Sequence, residues 1–182
     1  MRSSAEASFH PLGVPSDAAW HAAFGGMLLV CAVVLGLAES WLLAWSPVPW
    51  LRLGLANVAV LVTLALIGPR TAFTVSVLRV GMVGVATGTL FGPGSVLALS
   101  GAVCAFMAML LVRAAGPRFS VVGWSAAGAA AHVIGQFVAA AIVMGSATLL
   151  TLMPLSIIAS LCLGVATGLI ARLLISRVMP AV

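Results

Sequence analysis

From Phe119 to Ala171 the chain runs 53 residues without a single Asp, Glu, Lys or Arg. A water-soluble domain carries roughly a quarter charged residues, so a run of this length has no place on a solvated surface. A bilayer core of about 30 Å is crossed by roughly 20 apolar helical residues, and this run has room for two crossings. The other intervals between charges fit the same ruler. Asp17 and Glu39 enclose 21 uncharged residues, Arg52 and Arg70 enclose a shorter stretch, and residues 71–110 contain Arg79 alone. Turn formers divide the longer intervals at Phe91-Gly92-Pro93-Gly94 and at Gly145-Ser146. The spacing predicts helices at about 19–43, 53–68, 71–91, 95–113, 119–146 and 152–175.

The expected fold class is therefore an all-α integral membrane protein, a bundle of six transmembrane helices over 19–176 behind a disordered cytoplasmic tail at 1–18. The tail carries two prolines and two acidic residues and has no signal-peptide pattern. A membrane β-barrel requires segments of about ten residues that alternate apolar and polar, and these runs are apolar on every face.

Charge excludes one further class. The net charge of +5 comes from eight basic residues that are all arginine. They are scattered singly, so no basic patch exists to follow a phosphate backbone, and nucleic acid is excluded as a partner. Their distribution sets orientation instead. With the N-terminus inside, Arg2, Arg70, Arg113, Arg118, Arg172 and Arg177 all fall on the cytoplasmic side of the cell (inner) membrane, and Arg52 alone falls outside. Both termini are then cytoplasmic. Cys31, Cys104 and Cys162 lie on different helices without metal-ligand spacing and read as small packing residues, so neither a metal nor a cofactor is expected.

Polar groups inside a bilayer are costly and mark function by default. Glu39, Asn57, Arg79, His132 and Gln136 make up most of that inventory, with Arg52 at an interface. At a rise of about 1.5 Å per residue, Glu39, Asn57, His132 and Gln136 fall in the outer half of the membrane, and Arg79 about 12 Å in from the cytoplasm. Arg52 is then the natural partner of Glu39, and Arg79 is left for an anionic group of a substrate, backbone carbonyls or a helix end. Trp124, Gly128, His132 and Gln136 recur every four residues and share one stripe of a helix. Such a stripe suits a guest with a flat apolar part and hydrogen-bonding edges; the plainer alternative is hydrogen-bonding glue between helices. The candidate substrate-binding residues are thus Glu39, Arg52, Asn57, Arg79, Trp124, His132 and Gln136. The connection from Ser46 to Arg52, with Pro47, Pro49 and Trp50, reads either as a lid or as an aromatic anchor.

Small residues have a packing role. Gly84-Val85-Ala86-Thr87-Gly88 recurs unchanged as Gly164-Val165-Ala166-Thr167-Gly168, and each copy is a GxxxG that predicts close helix approach through Gly84 and Gly88 and through Gly164 and Gly168. Ala19, Ala22, Ala23 and Gly26 form a smooth face on the first helix, which either packs internally or docks another membrane subunit.

Leu53-Gly54-Leu55-Ala56-Asn57, Leu78-Arg79, Phe119-Ser120, Gly128-Ala129 and the run His132 to Gln136 together resemble the Gx transporter family, also labelled heptaprenyl diphosphate synthase component I. That family is similar in turn to the substrate-binding S components of energy-coupling factor transporters. The likeness spans about residues 25–175, and it departs from the family pattern at Val133, where an asparagine usually follows the histidine. The resemblance implies an S-component-like bundle with a pocket open to the outside. It also implies a membrane coupling subunit with ATPases as partners, docked on the face formed by Ala19, Ala22, Ala23 and Gly26.

An enzyme is not expected. Polyprenyl diphosphate synthesis holds magnesium on clustered carboxylates, and the chain has only three acidic residues, Glu6, Asp17 and Glu39. No Walker A motif is present to use ATP. The expected function is binding a small vitamin-like or isoprenoid-like molecule for uptake. A structural or assembly subunit of a larger membrane complex is the alternative, and a self-contained carrier is disfavoured by the scarcity of membrane carboxylates.

Overall fold

The computed structural model describes residues 18–45, 54–116 and 118–178. These form six α-helices and one short 3₁₀ segment: α1 (Ala18–Ala44), α2 (Leu55–Leu66), α3 (Pro69–Ala86), α4 (Pro93–Ala114), α5 (Val121–Met144), the 3₁₀ segment Ala147–Leu152, and α6 (Met153–Val178). Local chemistry sets several boundaries. Pro69 and Pro93 open α3 and α4, where the missing N–H costs nothing. Ser120 caps α5, its hydroxyl accepting from the Gly123 N–H at 3.4 Å. Short connections make consecutive helices antiparallel. The tail at 1–17 and the Ser46 to Arg52 connection, with Pro47, Pro49 and Trp50, lie outside the described residues.

The six helices are not six equal spans, which corrects the reading from charge intervals. Four segments are long and apolar enough to cross a bilayer: Ala19–Leu42, Pro93–Ala114, Val121–Met144 and Ala147–Val178. The 12 residues of α2 rise only about 18 Å, against about 30 Å of hydrocarbon. Helix α2 is apolar for another reason. Ten of its residues are buried, because α1, α3, α5 and α6 all pack around it. It is a core helix shielded from lipid, and a core helix and a spanning helix look alike in an apolar run. The outward surface is apolar as well, with Val34, Ile142, Leu155 and Leu173 each more than half exposed. This is the surface of a multi-pass membrane protein.

Arg70, Arg113, Arg118, Arg172 and Arg177 gather toward one end of the bundle, that of the α2–α3 and α4–α5 connections and the α6 C-terminus. There Arg113 Nη1 donates to the Leu64 carbonyl at the end of α2, and the Arg113 guanidinium lies 5.7 Å from the centre of the Trp124 ring. Of the three cysteines expected to be small packing residues, Cys104 packs against a neighbouring helix. All are free and exposed, but Cys104 lies at the α4–α5 contact, where a Cβ on Gly135 would come within 2.8 Å of its Sγ.

Candidate functional site

At the opposite end, beside the first turn of α2, lies a cavity of about 350 Å³. Helix length accounts for its place. α2 rises about 18 Å, whereas α1 rises about 40 Å and α5 about 36 Å, so the taller helices enclose space that α2 does not fill. Glu39 from α1, Asn57 from α2, Arg79 from α3 and His132 from α5 all line it, and all four side chains are buried. Hydroxyls of Ser40, Thr87, Thr89 and Ser95 complete a polar wall, while Gly36, Gly94 and Ala98 leave room in front of it.

Glu39 and Arg79 share this cavity rather than lying at separate depths. The expected separation assumed that the third helix continues to residue 91. It ends at Ala86, so Arg79 is seven residues, about 10 Å, from that end, and Glu39 is five residues, about 8 Å, from the end of α1. A Glu39 carboxylate oxygen accepts the Gly54 N–H at 2.9 Å and so ties the end of α1 to the start of α2. A carboxylate at a helix N-terminus is favoured by about 0.3–1 kcal/mol through the helix dipole. Arg52, expected to pair with Glu39, lies outside the described residues.

The helix end that lifts Arg79 into the cavity is a C-cap built on Gly88. Its φ of 69° is left-handed, a conformation glycine adopts freely. The Thr89 N–H donates to the Gly84 carbonyl at 2.8 Å and the Gly88 N–H to the Val85 carbonyl at 3.2 Å, the two bonds of a Schellman cap. Ser95 then holds the returning chain, with its hydroxyl 3.0 Å from the Thr89 carbonyl and 2.7 Å from that of Gly92. Gly84 and Gly88 are therefore not the helix-packing pair expected of them. A Cβ on Gly84 would meet the backbone of Leu90 at 3.1 Å, and one on Gly88 would meet nothing. The cavity hydroxyls Thr87, Thr89 and Ser95 were not singled out from the sequence. Their signal was the Thr-Gly-Thr before Phe91-Gly92-Pro93-Gly94-Ser95, a turn chemistry that sets a lip rather than a gap between spans.

His132 sits halfway along α5, with Gly101 of α4 against it. A Cβ at Gly101 would lie 2.9 Å from His132 Nε2 and 2.7 Å from Gln136 Cγ, so only glycine lets α4 pass this close. Beyond His132 and Asn57 a side chamber of about 20 Å³ reaches Ser125, Ser160 and Thr167. It has room for about one water. Ser125 Oγ and Thr167 Oγ1 are 3.1 Å apart beside it.

The profile of the heptaprenyl diphosphate synthase component I family matches residues 28–174. The chain belongs to this family. Comparison with curated proteins finds no match, and comparison with solved structures finds none either. In this member of the component I family the matched region contains Glu39, Asn57, Arg79 and His132. The small-residue face of α1 begins before it. Among the described residues no three His, Cys, Asp or Glu side chains gather as metal ligands.

Two residues expected at the site are elsewhere. Trp124 does not line the cavity; it packs against the core and Arg113 near the arginine-bearing end of the bundle. Gln136 is half-buried against Gly101 and does not line the cavity among the described residues. The four-residue spacing of Trp124, Gly128, His132 and Gln136 is real, but the stripe faces α4, with Met109 over Gly128. A stripe some 18 Å long crosses several environments, and only His132 is level with the cavity. Ala19, Ala22, Ala23 and Gly26 are all exposed on α1, so this face does not pack inside the described bundle. Gly164 and Gly168 lie against α5, where a Cβ would come within 2.7 Å of Ala129 Cβ and 2.8 Å of Val122 Cα.

Proposed function

We propose that this component I family protein is the membrane-embedded substrate-binding subunit of an uptake system, similar to an S component, and not a catalytic subunit. The observation that carries the reading is the gathering of Glu39, Asn57, Arg79 and His132, from four different helices, around one cavity. A charged side chain at the centre of a membrane helix costs about 2.5–3.5 kcal/mol on insertion scales. Brought to one cavity from four helices, these side chains can offer a polar guest several hydrogen-bonding and charged contacts at once. The orientation follows from the five arginines at the far end of the bundle: by the positive-inside tendency that end faces the cytoplasm, and the cavity faces outward. On this reading both termini are cytoplasmic and the membrane is the cell (inner) membrane.

The guest is a small vitamin-like or isoprenoid-like molecule. Energy for its release comes from a membrane coupling subunit with ATPases, docked on the exposed face of Ala19, Ala22, Ala23 and Gly26, since the chain has no Walker A motif of its own. Native mass spectrometry of the full chain in detergent tests this. A bound small molecule is expected on the wild type, and its occupancy falls at least tenfold in Arg79→Gln with the melting temperature retained. A stoichiometric partner with no small molecule on the wild type favours the structural-subunit reading and overturns this one.

A further inference from the structure

We infer that Arg113 is a positioning residue for the cavity: with Glu39 it holds α2 as a strut clamped at both ends, so that the arginine-bearing end of the bundle sets the level of Asn57 in the cavity wall. The inference goes beyond the substrate-binding reading and needs no guest. The clamps are matched to the helix they hold. At the start of α2 a Glu39 carboxylate oxygen accepts the Gly54 N–H at 2.9 Å. At its end the Ile67 and Gly68 N–H groups both turn to the Thr63 carbonyl, at 2.9 and 3.0 Å. The Leu64 carbonyl is thereby left among the orphan acceptors of a helix terminus, and Arg113 Nη1 donates to it. A carboxylate thus stands at the positive end of the α2 dipole and a guanidinium at the negative end. Each comes from a different helix, Glu39 from α1 and Arg113 from α4.

Between the clamps α2 is apolar. From Val58 to Leu64 every residue is buried and only Thr63 is polar, and its hydroxyl turns back to the Ala59 carbonyl of the same helix at 2.7 Å. Apolar burial is non-directional, whereas a charge-assisted hydrogen bond specifies distance and direction. The level of α2 along its own axis is therefore fixed most sharply at its two ends. A hydrogen-bonded helix transmits that level along its length: Asn57 lies seven residues, about 10 Å, from Leu64 on the same rod. Gly54 and Asn57, at the outer end of that rod, both line the cavity. Arg113 is itself held in place. It is half-buried, and its guanidinium lies 5.7 Å from the centre of the Trp124 ring, in the first turn of α5. Trp124, which does not reach the cavity, thus acts on it indirectly by orienting the guanidinium.

Hydrogen exchange of the full chain in detergent, read by mass spectrometry with no ligand added, tests the strut, with melting temperature as the folding control. In Arg113→Gln the exchange of the Gly54 and Asn57 amides, at the end of α2 far from the substitution, is expected to rise by about fivefold or more. The amides of α6 from Gly164 to Ala171 keep their wild-type rates. Arg113→Lys keeps the charge but loses the planar fork that lies over the indole, and it serves if Arg113→Gln does not fold. A smaller rise, of about twofold, is expected there at the same two amides. A rise confined to residues 64–68 overturns the inference, because Arg113 is then a local cap and nothing more. An unchanged first turn of α2 in the folded variants, or a uniform rise through all six helices, overturns it as well. None of these outcomes depends on a guest, so the strut and the substrate-binding reading fail independently.

Discussion

At 164–168 the run Gly-Val-Ala-Thr-Gly lies inside α6, with both glycines buried against α5 and Thr167 bonded across to Ser125 at 3.1 Å. At 84–88 the same five residues end a helix. Gly88 turns left-handed, Thr87 faces the cavity, and the chain folds back through Leu90 over Gly84. One copy seals two helices together and the other opens a site. The difference is not in the pentapeptide. Leu-Ile-Ala-Arg-Leu-Leu follows the second copy, and each of these residues continues a helix at little cost. Thr-Leu-Phe-Gly-Pro follows the first, and Gly92-Pro93 requires the chain to leave one helix and start another. A GxxxG is thus a permission for close approach, and its neighbours decide whether the permission is used.

Substitutions at three of the four glycines separate the two roles. The largest effect is expected at Gly168→Leu: a branched side chain forced against the Val122 backbone and Ser125 destabilises the bundle by about 3 kcal/mol or more, read as a lowered melting temperature in detergent with loss of any guest. Gly88→Ala meets no neighbour and costs only the left-handed backbone of a residue with a Cβ, about 1–2 kcal/mol. Its signature is weakened guest retention at the cavity lip with the α5–α6 interface intact. Gly84→Ala is expected to be the mildest, because the helix-propensity gain of about 1 kcal/mol offsets a contact of 3.1 Å with Leu90. Equal losses of stability at Gly88→Ala and Gly168→Leu would sink the comparison, since both copies would then be acting as packing motifs.

The same contrast separates what was legible in the chain from what was not. Membrane insertion, the number of helices, the antiparallel order and the polar inventory all follow from where charges and turn formers stand, because insertion and local turn chemistry are properties of short segments. Glu39, Asn57, Arg79 and His132 could be chosen from the sequence for the same reason: a polar side chain in an apolar run needs a partner wherever it points. Helix α2 could not be read correctly. Its residues from Leu55 to Leu66 are as apolar as a span, and only its neighbours reveal that it is enclosed by protein rather than by lipid.

Direction and level were decided by the tertiary structure. Trp124 and His132 share a stripe by helical spacing, yet one packs beside Arg113 and the other reaches the cavity. Arg79 meets the same space as Glu39 because α3 stops at Ala86. Sequence spacing determined which residues lie on one helix face and which segments avoid water. What each face meets, and where the short central helix leaves a void, depends on the relative heights of helices far apart in the chain. Those heights are set by packing among all six, which no single segment encodes.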